Sequence, residues 1–164
     1  MKTAPIPGNE DARMADVHAA NILNTPREER FDRLADLAKE IFGVNMALIT
    51  IVDSERQWFK SACGWDEVTE TPRDVGFCAH AIFEPEGMVI PDATKDPRFA
   101  DNPFVTGAFG LRFYAGVPLR GSSGHSIGAF CLVDQQPHEF GPHQLGILMK
   151  LAELVQTEIE RRDA

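Results

Sequence analysis

Cys78, Ala79 and His80 set a thiol and an imidazole two residues apart. Thiolate nucleophiles, metal-ligand pairs and chromophore attachment points all draw on that pairing. The element that carries them decides between these uses. On a helix, residues two apart point about 200° away from each other, so Cys78 and His80 could share neither a metal nor a hydrogen bond. In a strand they would share a face, yet Gly76 and the flanking loop favour a helix start. A helix N-terminus lowers a thiol pKa, which makes Cys78 a candidate reactive cysteine. The plainer reading, a packed and inert cysteine beside a pocket, is preferred.

A second group of chemistry-bearing residues follows: Asp92, Asp96, Arg98, Asn102, Arg112 and Tyr114. Asp96-Pro97 and Asn102-Pro103 are ordinary turn formers, and Asp92 suits a cap. Arg112 and Tyr114 are more telling, because alternation sets them on one strand face opposite Phe113, Ala115, Val117 and Leu119. Either Arg112 is ion-paired beneath a loop bearing Asp92 and Asp96, or it serves a pocket for an anionic or amide-bearing ligand. In the second case Phe77, Phe99 and Phe104 supply apolar walls, the usual composition of a small-molecule cavity.

These residues must be positioned by regular elements. Met14–Leu23 reads as a short helix. Thr25-Pro26-Arg27-Glu28 reads as a helix start with a capping box, and Phe31, Leu34, Ala38, Ile41 and Phe42 keep helical spacing up to Gly43. Met46–Val52 is a buried strand, turned by Asp53-Ser54-Glu55 into Gln57–Cys63. Trp58 and Phe59 alternate there, which would leave one in the core and one exposed or near a dimer surface, and packing is their preferred role. A loop ends at Pro72, with Trp65 able to overlie the cavity. Val75–Phe83 fits a short helix and Met88–Ile90 a short strand, and Asp92–Gly110 has no periodicity. A loop of that length in a compact domain is usually functional or mobile. Leu111–Leu119 and Ser126–Val133 alternate as strands around Gly121-Ser122-Ser123-Gly124. In the second strand Ile127, Ala129, Cys131 and Val133 share a face. Pro142 opens a last helix whose Leu145, Leu148, Ala152, Val155 and Ile159 form a stripe that suits either a sheet or a coiled-coil seam. This order implies an α+β domain: an antiparallel sheet with helices packed on one face.

Composition removes whole classes of function. With 16 basic against 25 acidic residues the net charge is −9, and a domain without a basic run repels phosphate backbones, so no nucleic-acid partner is expected. No stretch approaches the roughly 20 apolar residues of a membrane span. The three cysteines, Cys63, Cys78 and Cys131, form no CxxC and no disulfide framework, which suits a reducing compartment. A cytoplasmic location with no membrane partner is therefore expected. Residues 1–12 read as a flexible leader and 13–164 as a single domain.

The chain resembles the GAF domains of bacterial signalling proteins. The resemblance is carried by Phe31-Asp32-Arg33-Leu34, Gln57-Trp58-Phe59-Lys60-Ser61, Pro72-Arg73-Asp74-Val75-Gly76-Phe77-Cys78-Ala79-His80, Val89-Ile90-Pro91-Asp92-Ala93, Asp96-Pro97-Arg98-Phe99, Asn102-Pro103, Arg112-Phe113-Tyr114-Ala115-Gly116 and Gly128 through Asp134, in order. It implies a central antiparallel sheet, terminal helices on one face that mediate homodimerisation, and on the other a pocket walled by the Cys78 helix and the Asp92–Gly110 loop. Phe77, Cys78, His80, Asp92, Asp96, Arg98, Phe99, Asn102, Arg112 and Tyr114 are its candidate ligand-binding residues. The function implied is binding of a small molecule by a regulatory module, not catalysis. A histidine kinase, diguanylate cyclase or phosphodiesterase is the implied output partner, since this chain has no kinase core and no GGDEF or EAL string. Within the same superfamily, free methionine-(R)-sulfoxide reductase makes a thiol-based reductase or redox switch on Cys78 the alternative. That alternative is disfavoured because Pro91–Gly110 has no cysteine and Cys131 lies in a core strand, leaving a sulfenic acid on Cys78 without a resolving partner. Haem would require His80 to face the cavity, and the spacing of Cys78 and His80 does not suit a bilin, so no cofactor or metal is assigned.

Overall fold

In the computed structural model, which describes residues 2–161, alternation along the strands sorts the chain into two cores on opposite faces of one sheet. The elements are α1 (Glu10–Ala19), α2 (Glu29–Phe42), β1 (Met46–Val52), β2 (Arg56–Cys63), β3 (Glu70–Pro72), α3 (Cys78–Ala81), β4 (Met88–Ile90), α4 (Pro103–Thr106), β5 (Phe113–Arg120), β6 (Ser126–Asp134) and α5 (Pro142–Arg161). The strands pair antiparallel in the order β3-β2-β1-β6-β5-β4. Phe113, Ala115, Val117 and Leu119 of β5 pack with Phe31, Ala35 and Ala38 of α2 and with Leu148 and Val155 of α5. Tyr114 faces the other way, into a core with Phe77, Cys78, Phe99 and Val105. The α+β architecture and the division of faces are thus as the sequence indicates. No helix among the described residues is long and apolar enough to cross a membrane.

Several boundaries differ from the sequence reading, each for a polar reason. The first helix spans Glu10–Ala19 rather than Met14–Leu23, because its inward face carries the buried Arg13 and Asp16 and so lacks an apolar period. Asp16 accepts from the Ser123 and His125 amides. Burial alone would raise its carboxyl, but those N–H groups hold it below the ordinary value. The stretch read as a loose leader is anchored: Ala4 is buried, Lys2 N–H donates to the Arg98 carbonyl and Ala4 N–H to that of Asp74. Residues 70–72, read as loop, pair as an edge strand with β2. Asp92–Gly110 is not featureless, holding the α4 turn and a 3-10 turn over Ala93–Lys95. Ile127 leaves the face of Ala129 and Cys131 because the register slips between Leu119 and Arg120.

The second helix starts at Glu29, with no side-chain cap, and stops at Gly43 in the left-handed region. Thr25, Pro26 and Glu28, read as its capping set, instead surround Lys60. The Lys60 ammonium is fully buried and donates to Thr25 Oγ1 at 2.9 Å and to the Pro26 carbonyl. It forms an ion pair with Glu28 Oε2 at 2.5 Å. Lys60 has no partner in β1, since the register runs from Ile49 opposite Ser61 to Thr50 opposite Phe59. The bulge lets Ser61 address α2 as well, donating to Asp32 at 2.6 Å. Both Trp58 and Phe59 are buried, one in each core, so both pack, the role preferred for them, and neither is exposed.

The Lys60 hydrogen bond outweighs burial and holds the Glu28 carboxyl at about 2, from an ordinary 4.5. A carboxylate depressed in the folded state stabilises the fold above its unfolded pKa and loses that contribution as pH falls through the folded one. Glu28→Gln should therefore lower stability by about 2 kcal/mol at neutral pH in urea unfolding. It should also lose less further stability than the wild type between pH 4.5 and about 2. Equal acid sensitivity of the two proteins would refute this role.

Candidate functional site

The lower face of the sheet is closed by the segments that flank α3 and α4, and a cavity remains between them and β1, β2, β5 and β6. It offers about 30 Å³ to the centres of water-sized molecules, room for about two waters. Leu48, Phe59, Cys131 and Val133 form the sheet side, and Phe77 and Cys78 form the α3 wall. Trp65, Phe104, Phe109 and Leu111 form the lid. Its rings interlock, with Trp65 and Phe109 at 4.7 Å between centroids and Trp65 and Phe104 edge-on at 6.3 Å. None of the lining side chains is charged.

Tyr114 enters this wall because of the residue two further along its strand. A Cβ at Gly116 would lie 2.3 Å from the Tyr114 hydroxyl, so the missing side chain is what lets the phenol lie along the strand. Gly116 pairs with Cys131 across β6, which sets the hydroxyl over the cysteines. Tyr114 Oη donates to Cys78 Sγ at 3.1 Å, and Cys78 Sγ stands 3.5 Å from Cys131 Sγ. Burial opposes the Cys78 thiolate, but the Cys131 and Tyr114 donors outweigh it and the thiol lies below its ordinary pKa. Burial first, then the adjacent Cys78, pushes Tyr114 and Cys131 well above theirs. Thr50 Oγ1 acts on the thiol in the same direction after those two, though it makes no hydrogen bond of good geometry. On the far wall Gln57 accepts from the Ala79 amide at 2.9 Å and donates to Thr71 at 3.1 Å. Gly76 leaves room for it, since a Cβ there would sit 2.0 Å from Gln57 Oε1.

Of the residues read from the sequence as ligand-binding, Phe77, Cys78 and Tyr114 line the cavity, as do Phe104 and Trp65. The others stand outside its wall. Phe99 is fully buried and stacks behind Phe77 at 4.1 Å, so the space beneath it is filled and the hollow lies to one side. His80 packs edge-on against Phe99, away from the cavity, which removes the axial position a haem would need. Its imidazole lies below the ordinary pKa through burial and then the Arg98 charge. Arg98 is ion-paired with Asp96 at 2.9 Å, and Asp92 accepts from the Thr94 amide. Arg112 meets neither aspartate. Its guanidinium donates to the Val105 and Leu111 carbonyls and so holds the roof backbone. Asn102 is a clip: it caps α4 by accepting from Phe104 N–H and donates to the Val75 carbonyl.

Sequence reasoning set Cys131 in a core strand and denied Cys78 a thiol partner, whereas α3 brings the two sulfurs to 3.5 Å. It passed over Gln57 and Phe109. Parity with Phe59 on β2 carried a signal for Gln57. Phe109 lies in irregular chain and carried none. Among the described residues no three His, Cys, Asp or Glu side chains are grouped as metal ligands.

A six-stranded antiparallel sheet, helices on one face and a small aromatic cavity under a short-helix roof on the other define a known class of α+β domain. The chain belongs to the GAF domain family, whose model matches residues 26–159. Over 162 residues it is 39% identical to a cyclic di-GMP phosphodiesterase of Pseudomonas aeruginosa, covering 97% of this chain but only 27% of that protein. Two solved structures share the fold at low identity. The GAF domain of an Acinetobacter phosphoenolpyruvate-protein phosphotransferase superposes with a TM-score of 0.64 at 16% identity, covering 92% of this chain and 94% of that one. The free methionine-R-sulfoxide reductase of Neisseria meningitidis, solved with its substrate, gives 0.65 at 18% identity over the whole of both chains.

Replacing Asn102 with Ala removes the α4 cap and the tie to Val75 together, and should cost about 1–2 kcal/mol. Amide exchange over residues 103–111 should quicken more than exchange in β5 and β6. Uniform quickening across the sheet would show instead that the clip supports the whole domain.

Proposed function

We propose that this chain is a regulatory module that binds a small, uncharged, largely aromatic or apolar molecule in the cavity beneath the aromatic lid. One observation carries this reading: a lined hollow on the face opposite α2 and α5 whose wall has no Asp, Glu, Lys or Arg side chain. An anionic ligand would lie there without a counter-charge, at a large desolvation cost. The arginines that the sequence offered as anchors are held in other contacts, which speaks against the anionic class. Phe77 and Trp65 would supply ring contacts, Tyr114 and Cys78 the adjoining sulfur-hydroxyl edge, and Gln57 or Thr71 one polar anchor at the cost of rearranging their mutual bond.

The closed cavity is too small for a ring-sized ligand, so binding selects a form in which Trp65 and Phe109 have moved. The ligand shifts the population between the two lid positions. The relative from Pseudomonas aeruginosa makes a cyclic di-GMP phosphodiesterase unit the natural recipient of that signal, and a kinase or cyclase an alternative output. A second copy of this chain is the partner proposed for α2 and α5. The stripe Leu145, Leu148, Ala152, Val155 and Ile159, read as a possible seam, is largely taken up by the sheet. Left open are Leu37 and Ile41 on α2 and Leu154 on α5, each more than two-fifths exposed. A cytoplasmic location fits these roles.

The test uses indole as a neutral probe and cyclic di-GMP as an anionic one, each titrated into the protein in a calorimeter. Indole should bind saturably, and Phe77→Ala should weaken that binding about tenfold or more. Saturable binding of cyclic di-GMP that indole does not share would overturn the ligand class. Sedimentation should show a dimer that Leu154→Glu converts to monomer.

A further inference from the structure

We propose that Cys78 and Cys131 are a reversible dithiol pair at the cavity floor, converted to an intramolecular disulfide by a peroxide that enters the cavity. The pairing is absent from the linear sequence, where the cysteines are 53 positions apart, and arises because α3 is laid across β6. Their sulfurs stand 3.5 Å apart, against about 2.0 Å in a disulfide, so closure needs only a small approach of α3 to the sheet. Both sulfurs line the cavity, whose volume admits a molecule of two oxygen atoms. Tyr114 Oη, at 3.1 Å, is a donor aimed at Cys78, which marks Cys78 as the sulfur favoured to carry charge and attack first. The shifts in opposite directions at Cys78 and Cys131 agree with that order.

The chemistry balances with hydrogen peroxide as the oxidant. The Cys78 thiolate attacks one peroxide oxygen, the O–O bond breaks, and the departing hydroxide takes a proton to become water. Cys78 is then a sulfenic acid. Cys131, losing its proton, attacks Cys78 Sγ, forming the S–S bond and expelling the hydroxyl as a second water. The two thiols together lose two electrons and two protons, and one peroxide becomes two waters. A small dithiol reductant reverses the step by exchange. In the oxidised form the α3 wall, with Phe77, is tied covalently to β6 at the cavity floor.

The experiment treats the reduced protein, under native conditions, with equimolar hydrogen peroxide, then blocks remaining thiols in denaturant and maps peptides without reduction. Cys63 is the internal comparator, because burial and Asp36 push its thiol up. The expected product is a Cys78–Cys131 cross-linked peptide, with Cys63 blocked and therefore still reduced at that point. Tyr114→Phe should slow formation of the link about tenfold, the loss of one hydrogen bond to a charged sulfur. A role in packing alone would leave that rate unchanged. Cys131→Ser should let a dimedone probe trap the sulfenic acid on Cys78. The proposal is overturned if Cys78 and Cys131 remain as fully blocked as Cys63, or if Cys78 links to Cys63 or to a second chain. The wild-type map decides the matter even where Cys131→Ser does not fold. Indole binding and disulfide formation are read separately, so either reading can fail without the other.

Discussion

The two-residue alternation of β5 is the constraint from which the domain follows. Successive side chains on a strand point to opposite faces, so Phe113, Ala115, Val117 and Leu119 commit one face to helices while Tyr114 and Gly116 commit the other to whatever covers it. A helix presents a regular apolar stripe and closes its face solidly. The opposite face is covered by short turns that pair much of their own backbone, and the amides and carbonyls left over are met by individual side chains. Asn102, Arg112 and Asp92 serve that need, and this explains why so many polar residues cluster near a cavity that uses none of their charge.

Small residues shape the wall as much as large ones. Gly116 gives Tyr114 a place to lie, and the cross-strand pairing of Gly116 with Cys131 puts phenol and thiol in contact. Gly76 does the same for Gln57, which then ties the start of α3 to β2 and β3. Reducing a side chain to hydrogen at these two positions lets polar groups converge where apolar packing alone would leave a sealed core. The aromatic lid completes the enclosure from segments distant in sequence, Trp65 before α3 and Phe104 and Phe109 after it.

The helix face resolves its buried charges differently. Lys60 is enclosed by Thr25, Pro26 and Glu28, and Arg73 meets Glu10 at 2.5 Å together with the Asp53 carbonyl. Burial acts against the Glu10 carboxyl, but the Arg13 and Arg73 bonds hold it at about 2. Buried ion pairs of this kind add little net stability over apolar packing, while losing one partner is costly, so they fix how α1 and the segment before α2 sit on the sheet. These buried ion pairs are structural clips, and no Asp, Glu, Lys or Arg side chain lines the cavity.

The order of the longer elements, the face each β5 residue takes, the α2 stripe ending at Gly43 and the α+β class were legible in the sequence, because periodicity follows from backbone geometry and needs no neighbour; the three-residue β3 and the one-turn α4 are too short to show a period. The α1 boundaries were not, since Arg13 and Asp16 face inward as polar groups that only the β5–β6 turn and Glu10 satisfy. Thr25 and Glu28 carried the pattern of a helix cap, and the bulge that aims Lys60 at them overrode it. Of the cavity lining, Phe77, Cys78 and Tyr114 were named from local pattern, while Arg112, read as either ion-paired or pocket-facing, meets backbone carbonyls that have no signature in a side-chain sequence. Spacing by itself thus determined which residues share a face. Which of them touch, above all Cys78 with Cys131, was decided only when α3 crossed β6, for contact between distant residues depends on how elements are laid against one another rather than on any local preference.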